Sequence, residues 1–120
     1  MTTQTRMPGS ARLRDRVAAL AELGIDDPLK LDIMARLMAE PGATLQVGEL
    51  AARMGKSLGA VRHAVAELAQ RGLIEHVRFY NRESCRFAAP DNLALRLADL
   101  LQRSPAERRA MRFALLSRRR

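Results

Sequence analysis

The fold of this chain is decided by residues 47–74, which read VGELAARMGKSLGAVRHAVAELAQRGLI. Apolar side chains recur at helical spacing over 47–54 and again after Ser57, a good N-cap residue, so the stretch predicts two helices. The apolar positions are Val47, Leu50, Ala51 and Met54 in the first helix, and Val61, Val65 and Leu68 in the second. Gly72 should end the second helix. Because the linker is so short and contains Gly55, the helices should cross steeply as a helix-turn-helix.

Two more helices are predicted before this stretch, over about 11–23 and about 28–40. Gly24 should end the first of them, with Ile25 folding back onto its stripe. The second should begin at Asp27-Pro28, because aspartate caps well and proline fits the first helical turn. Their apolar stripes consist of Leu13, Val17 and Leu20, and of Leu29, Ile33, Met34 and Leu37.

The pattern changes to a period of two after Ile74, which is typical of β-strands. The apolar members of the alternation are Val77, Phe79, Cys85 and Phe87. A hairpin is therefore predicted, with residues 80–83 at its tip, Cys85 facing inward and Pro90 at its end. A brief strand is also predicted over residues 43–45.

Two helices should follow the hairpin. The first opens at Asp91-Asn92 and carries Leu93, Leu97, Leu100 and Leu101 on one side. Ser104, Pro105 and Glu107 occupy N-cap, N1 and N3 positions, so they predict a sixth helix from 105 to about 116. The predicted fold class is mainly α with a small β hairpin.

Composition restricts the class of protein. The chain has 120 residues, of which 48% are hydrophobic and 3% aromatic, and this suits one domain of helices packed through aliphatic stripes. No apolar run reaches the roughly 18 residues needed to cross a bilayer, and the first ten residues hold no apolar signal segment. The single cysteine excludes an internal disulfide. We therefore expect a cytoplasmic protein.

Basic charge is concentrated in two parts of the chain. The net charge is +8, and residues 53–86 carry seven basic and three acidic side chains. Residues 103–120 carry seven arginines and one glutamate, whereas residues 17–52 carry two basic and six acidic side chains. With a pI near 11.3, this clustering indicates a polyanionic partner, of which nucleic acid fits best. The alternative is a solvated surface in an arginine-rich protein.

Three segments resemble ArsR-type bacterial repressors. The run Asp27-Pro28-Leu29-Lys30-Leu31-Asp32-Ile33 is similar to their D-P-x-R-L-x-I-L segment, and Val47-Gly48-Glu49-Leu50-Ala51 is similar to V-x-E-L-A. Residues 57–74 are similar to S-x-x-T-V-S-x-H-L-x-x-L-x-x-x-G-L-V. The resemblance covers about residues 27–88 and is partly shared with MarR-type regulators. It implies a winged helix-turn-helix with flanking dimerisation helices.

The sequence departs from this family at its sensory sites. Metal-sensing members often carry Cys-x-Cys where this chain has Leu45-Gln46-Val47, and others place histidines on the last helix, where residues 92–116 have none. Sulfur-sensing relatives pair two cysteines, whereas only Cys85 is present. Arg62-His63-Ala64 replaces the usual S-R-H run. No metal, cofactor or known effector is therefore predicted, and the operator sequence cannot be carried over from the family.

The helix after Ser57 is the predicted recognition helix, because its inward stripe leaves a basic face outward near the N-terminus. Arg62 suits bidentate contact with guanine, and Ser57 with the helix dipole suits a phosphate. Gly59 and Ala60 allow close approach of the backbone. The full set predicted to contact DNA on this element is Lys56, Ser57, Leu58, Gly59, Ala60, Arg62 and His63.

The hairpin is predicted to act as a wing that contacts DNA through Arg78, Asn81, Arg82 and Arg86. Protection of an edge strand by charge is the alternative interpretation of these arginines. Tyr80 is predicted either to bind a phosphate or to pack at the base of the wing.

His63 and His76 lack a third ligand nearby, so no metal site is predicted. Cys85 is predicted to be a buried, inert thiol.

The flanking helices are predicted to form a homodimer interface, which the resemblance also implies. The predicted interface residues are Leu13, Val17, Leu20, Leu93, Leu97, Leu100 and Leu101. Packing of the first helix on the fifth within one chain is the alternative. Three segments are predicted: residues 1–10 disordered, residues 11–102 the winged domain with its dimerisation helices, and residues 103–120 an arginine-rich extension that can form a helix. That extension could grip phosphates, remain solvated or touch a membrane surface, the last being disfavoured by its small apolar side.

The sequence as a whole predicts a homodimeric, sequence-specific regulator of transcription that binds a palindromic operator in double-stranded DNA, most simply as a repressor. Two alternatives stay open: a winged-helix module that binds another protein, and an architectural or RNA-associated factor that grips phosphates without reading sequence. An enzyme is not predicted, because the chain has no catalytic triad motif, glycine-rich phosphate loop or suitable pair of carboxylates.

Overall fold

The computed structural model describes residues 9–118. Its elements are α1 (Gly9–Glu22), α2 (Pro28–Ala39), β1 (Leu45–Gln46), α3 (Val47–Met54), α4 (Leu58–Gln70), β2 (Ile74–Phe79), β3 (Arg82–Phe87), α5 (Asp91–Leu101) and α6 (Pro105–Arg118). The order and type of these elements follow the sequence prediction, and α1 begins at Gly9 rather than at residue 11. Disorder was predicted for residues 1–10, but Gly9 and Ser10 belong to α1, and residues 1–8 lie outside the described residues.

The cap signals read from the sequence are present where predicted. The Asp27 side chain accepts a hydrogen bond from the Lys30 backbone N–H at 2.8 Å, and Pro28 is the first residue of α2. Ser104 and Glu107 exchange two hydrogen bonds, at 3.1 and 3.2 Å, and form the predicted capping box of α6. These local contacts fix where the helices begin, independently of how the helices pack.

The hairpin has a shorter tip than predicted. β2 and β3 are antiparallel with Phe79 opposite Arg82, so only Tyr80 and Asn81 form the turn. β1 pairs with the other edge of β3, which gives the strand order β1-β3-β2. The predicted four-residue tip was wrong because Arg82 and Glu83 are polar yet belong to the β3 ladder.

The register also corrects which side chains of β2 face inward. His76 is opposite Cys85, so His76 shares the inner face with that buried residue. Val77 and Phe79 therefore lie on the outer face of the sheet and are exposed. The period of two identified the strand correctly, but it did not show which set of side chains faces inward. Polar His76 lies on the inner face, whereas apolar Val77 and Phe79 lie on the outer face.

One aliphatic core joins all the helices, and α2 lies at its centre, in contact with α4, α5, α6 and β3. Five of the seven leucine and valine residues predicted for a dimer interface are buried in this core within one chain. They are Val17, Leu20, Leu97, Leu100 and Leu101. Their assignment to a surface was wrong, because α1 and α5 bury these stripes in their own chain. Leu13 and Leu93 are half-buried.

The C-terminal helix α6 is part of this core. It packs against α1 and α2, and its Met111 and Leu115 are buried. The guanidinium Nε of Arg112 also lies 3.1 Å from both carboxylate oxygens of Asp32 on α2. The predicted extension is therefore folded onto the domain as far as Arg118, while Arg119 and Arg120 lie outside the described residues. Within residues 9–118, no helix has the length and apolar character that a bilayer crossing requires.

Candidate nucleic-acid interface

The turn between α3 and α4 directs the start of α4 to the surface. Gly55 has a φ of 65°, a left-handed conformation that glycine adopts without steric cost. The Lys56 N–H donates to the Ala51 carbonyl at 3.1 Å, which closes the C-terminus of α3. The Ser57 hydroxyl then accepts from the Ala60 N–H at 3.1 Å and caps α4. The first turn of α4 is thus formed by local contacts and remains exposed.

The inward stripe of α4 holds this exposed face in place. Val61, Val65 and Leu68 are buried, as the sequence predicts. The opposite side carries the residues predicted to contact DNA, all of which are exposed: Lys56, Ser57, Leu58, Gly59, Ala60, Arg62 and His63. At Gly59, an added side chain would meet no atom within 4 Å, so the helix backbone is open to a large ligand at this point.

A carboxylate of the wing connects β3 to this face. Nε of Arg62 donates a hydrogen bond to Oε1 of Glu83 at 2.8 Å. Nε2 of His76 lies 2.6 Å from the other oxygen, Oε2. The Glu83 side chain is only 9% exposed, whereas that of Arg62 is 44% exposed. This cluster was not predicted from the sequence. The one signal for it is that Glu83 lies two residues before Cys85, which places both side chains on the inner face of β3.

The pKa of Glu83 reflects these contacts. Burial raises the pKa of this carboxyl, but the hydrogen bonds from Arg62 and His76 outweigh burial and leave the pKa below its ordinary value. Glu83 is therefore ionised at neutral pH. A group with a lowered folded pKa stabilises the fold above its ordinary pKa, so this contribution is lost as the solution becomes acidic.

The arginines of the wing do not share one face. Arg82 and Arg86 lie on the outer face of β3, whereas Arg78 is opposite Glu83 on the inner side of the hairpin. Nε of Arg86 is 2.5 Å from Oε1 of Glu75, directly across the sheet. Among the described residues, Arg78 and Arg82 have no such acidic partner, and Asn81 sits with Tyr80 in the turn.

An aromatic pair is exposed at the wing tip. Tyr80 is 91% exposed, so the alternative that it packs at the base of the wing was wrong. Within residues 9–118, its one ring contact is with Phe79, with centroids 4.4 Å apart. Tyr80 also has a φ of 57°, which is uncommon for a residue with a side chain and costs backbone energy. The tip therefore presents an aromatic surface next to Arg82, which is paired with Phe79.

A second ionic cluster joins the middle of α4 to α2. The buried Lys30 amino group contacts Asp26 at 2.8 Å and also contacts Glu67, and His63 lies 3.2 Å from Glu67. Burial lowers the pKa of Lys30, but the two carboxylates outweigh burial, so the net pKa of Lys30 is raised. Lys30 thus stays charged and links α2 to α4. Within residues 9–118, no group of three metal-ligating side chains is found.

Cys85 should resist alkylation in the folded protein. Burial, with a smaller effect of Glu83, raises the pKa of its thiol to about 11, so the reactive thiolate is scarce at neutral pH. We expect iodoacetamide at pH 8 to leave the native protein unmodified over a time that fully labels the urea-unfolded chain. Mass spectrometry of the intact protein measures the extent of labelling in the native and in the unfolded state. Equal labelling rates in the two states would contradict the burial of Cys85.

Comparison with known proteins gives a family match and several similar structures. Residues 26–75 match the model of the winged helix-turn-helix DNA-binding family. The solved structure of HlyU from Vibrio cholerae N16961 is 19% identical, with a TM-score of 0.54, and the match covers 81% of this chain and all of that chain. For the transcriptional regulator HlyU from Vibrio vulnificus CMCP6, the identity is 19%, the TM-score 0.52 and the coverage 76% of this chain and 94% of that chain.

A third similar structure is the homodimeric winged helix-turn-helix domain of Mb0332 from Mycobacterium bovis, a possible ArsR-family regulator. Its identity is 25%, its TM-score 0.48, and the match covers 81% of this chain and 84% of that chain. No protein of curated function matches the chain. The family match and the two HlyU structures agree with the predicted fold class, and the family match contains α2, α3 and α4, which carry the exposed basic face.

Proposed function

We propose that this chain is a transcriptional regulator that binds double-stranded DNA sequence-specifically, since residues 26–75 match the winged helix-turn-helix DNA-binding family. The observation that carries the proposal is the exposed, basic N-terminal half of α4, held outward by the buried side chains of Val61, Val65 and Leu68. This half of a recognition helix enters the major groove in helix-turn-helix proteins. Occupation of an operator that overlaps a promoter would block polymerase, so the chain acts as a repressor.

Each part of the interface has a distinct role in this proposal. Arg62 reads a guanine through its O6 and N7 atoms. Lys56 and the capped N-terminus at Ser57 hold a phosphate. Arg78 and Arg82, which have no acidic partner among residues 9–118, contact the backbone or the minor groove beside the wing. The other predicted contacts, which complete the surface, are Leu58, Gly59, Ala60, His63, Asn81 and Arg86.

The proposal includes a homodimer on a palindromic operator. Phe113 is 71% and Leu116 48% exposed on one side of α6, and covering such apolar side chains favours association. The half-buried Leu13 and Leu93 stay candidates for the same interface, whereas the buried leucines of α5 do not. A two-fold dimer would place its recognition helices about 34 Å apart, in successive major grooves.

Selection from a random DNA library with the purified chain tests the proposal. We expect a palindromic consensus, and we expect Arg62→Ala to lose about 1–3 kcal/mol of binding free energy at a guanine position, because a bidentate contact disappears. Arg96→Ala is the matched control, since Arg96 is exposed on α5 and its loss changes the charge equally. Enrichment by the wild type that Arg62→Ala leaves unchanged would refute the role of α4.

One observation favours a second candidate, a module that binds another protein. The outer face of the wing exposes Val77, Phe79 and Tyr80, a larger apolar group than phosphate contact needs. In that case the library would give no enrichment, and Arg62 and the wing arginines would be dispensable for the protein complex. Binding that depends on salt but shows no sequence preference would indicate an architectural factor instead.

A further inference from the structure

Both oxygens of the Glu83 carboxylate have a partner on the inner side of the wing. One of its oxygens accepts from Nε of Arg62 on α4, and the other contacts Nε2 of His76 on β2. Arg62 and Glu83 are 21 positions apart in the chain. Through this carboxylate, the side chain proposed to read a base is held by the wing and not only by its own helix.

This contact leaves the base-reading atoms of Arg62 available. Only Nε of the guanidinium is bound, and among residues 9–118 no hydrogen bond is formed by the two terminal nitrogens. A guanidinium is planar, so a hydrogen bond at Nε restricts the direction in which the terminal nitrogens point. Those two nitrogens can together bind guanine O6 and N7.

A buried carboxylate in this place is unfavourable for DNA binding in general. Its negative charge lies beside a surface that should meet phosphates, and it offsets the positive charge of Arg62, so it weakens the attraction to every DNA sequence alike. A favourable contribution of Glu83 must therefore come from orientation, which increases the difference between the correct base and the others.

We propose that Glu83 is a positioning residue for base recognition, which fixes the guanidinium of Arg62 so that its terminal nitrogens face a guanine. His76 holds the second oxygen and thereby fixes the carboxylate itself. Because Glu83 belongs to β3, the placement of the wing on DNA also sets the accuracy with which α4 reads its base. This inference rests on the proposed function of Arg62.

The test measures base discrimination by the full chain carrying Glu83→Gln. Library selection first identifies the guanine whose preference disappears in Arg62→Ala, and titrations then compare the selected site with a site changed at that base pair. We expect Glu83→Gln to reduce the discrimination at this position by about tenfold, since the guanidinium loses its fixed orientation. Affinity for random DNA should stay equal or rise, because a negative charge is removed.

The wing itself supplies a matched control. Glu75→Gln removes a carboxylate of the same type that contacts Arg86 on the outer face, away from α4. Glu75→Gln should leave the discrimination at the base pair read by Arg62 unchanged, although it changes the total charge by as much as Glu83→Gln does. A double variant, Arg62→Ala with Glu83→Gln, should discriminate no worse than Arg62→Ala alone, whereas general damage to the fold would lower it further.

The outcomes separate this inference from the proposed function. If Arg62→Ala leaves every base preference intact, the proposed function fails. If Arg62→Ala abolishes one preference and Glu83→Gln keeps it, the positioning role of Glu83 is overturned. Should Glu83→Gln fail to fold in a thermal melt, Glu83→Asp is measured instead, because it keeps the charge but shortens the reach by one methylene. The same loss of discrimination is expected for Glu83→Asp, and full retention would overturn the role.

Discussion

Raising the salt concentration from 50 to 200 mM should weaken the binding of this chain to DNA by about a thousandfold. Each phosphate that a cationic side chain neutralises releases counterions, so affinity falls steeply with salt. Lys56, Arg78 and Arg82 have no acidic partner among residues 9–118, whereas Arg62 and Arg86 are bound to carboxylates. Two copies of the chain would bring about six free cations to the phosphates, which corresponds to this loss.

Fluorescence anisotropy titrations at a series of salt concentrations directly measure the slope of log affinity against log salt concentration. The variant Arg82→Gln should reduce the slope by about one for each copy of the chain, and it should do so for every DNA sequence. Arg96→Gln, which removes an equal charge from α5, should leave the slope unchanged. A slope near zero for the wild type would show that phosphates are not the partner of this surface.

Replacing Leu115 by alanine should cost about 2–5 kcal/mol of the free energy of unfolding. Leu115 is 0% exposed on α6, and the helix packs there against α1 and α2. The shorter side chain loses the free energy of burial and leaves a cavity, because the surrounding helices can relax only in part. The effect would show that α6 is a structural part of the domain and not a basic appendage.

Urea unfolding followed by circular dichroism provides the measurement. Leu95→Ala on α5 is the control, because the same atoms are removed from a side chain that is 75% exposed, and the expected change is within about 0.5 kcal/mol. The unfolding of both variants is measured at several protein concentrations, so that a change in dimerisation is separated from a change in folding. An equal, small effect of the two substitutions would contradict the packing of α6.

Local chemistry in the sequence determines most of the elements and the helix-turn-helix. Ser57, Gly55 and the Asp27-Pro28 pair act on backbone groups within a few residues, so they specify helix ends whatever the rest of the chain does. The spacing of Val61, Val65 and Leu68 likewise determines which side of α4 is buried, and hence that its basic side is exposed. The position and the exposed face of the candidate recognition helix could therefore be predicted.

Only the tertiary structure decided which charges are paired and which apolar stripes are buried within the chain. Arg62 meets Glu83 21 positions away, and Arg112 meets Asp32 80 positions away. No local pattern records such contacts, because they depend on the strand register and on how the helices cross. For the same reason, the leucines of α5 looked like a dimer surface until α2 was seen against them. Sequence periodicity shows that a face is apolar, and only packing shows what covers it.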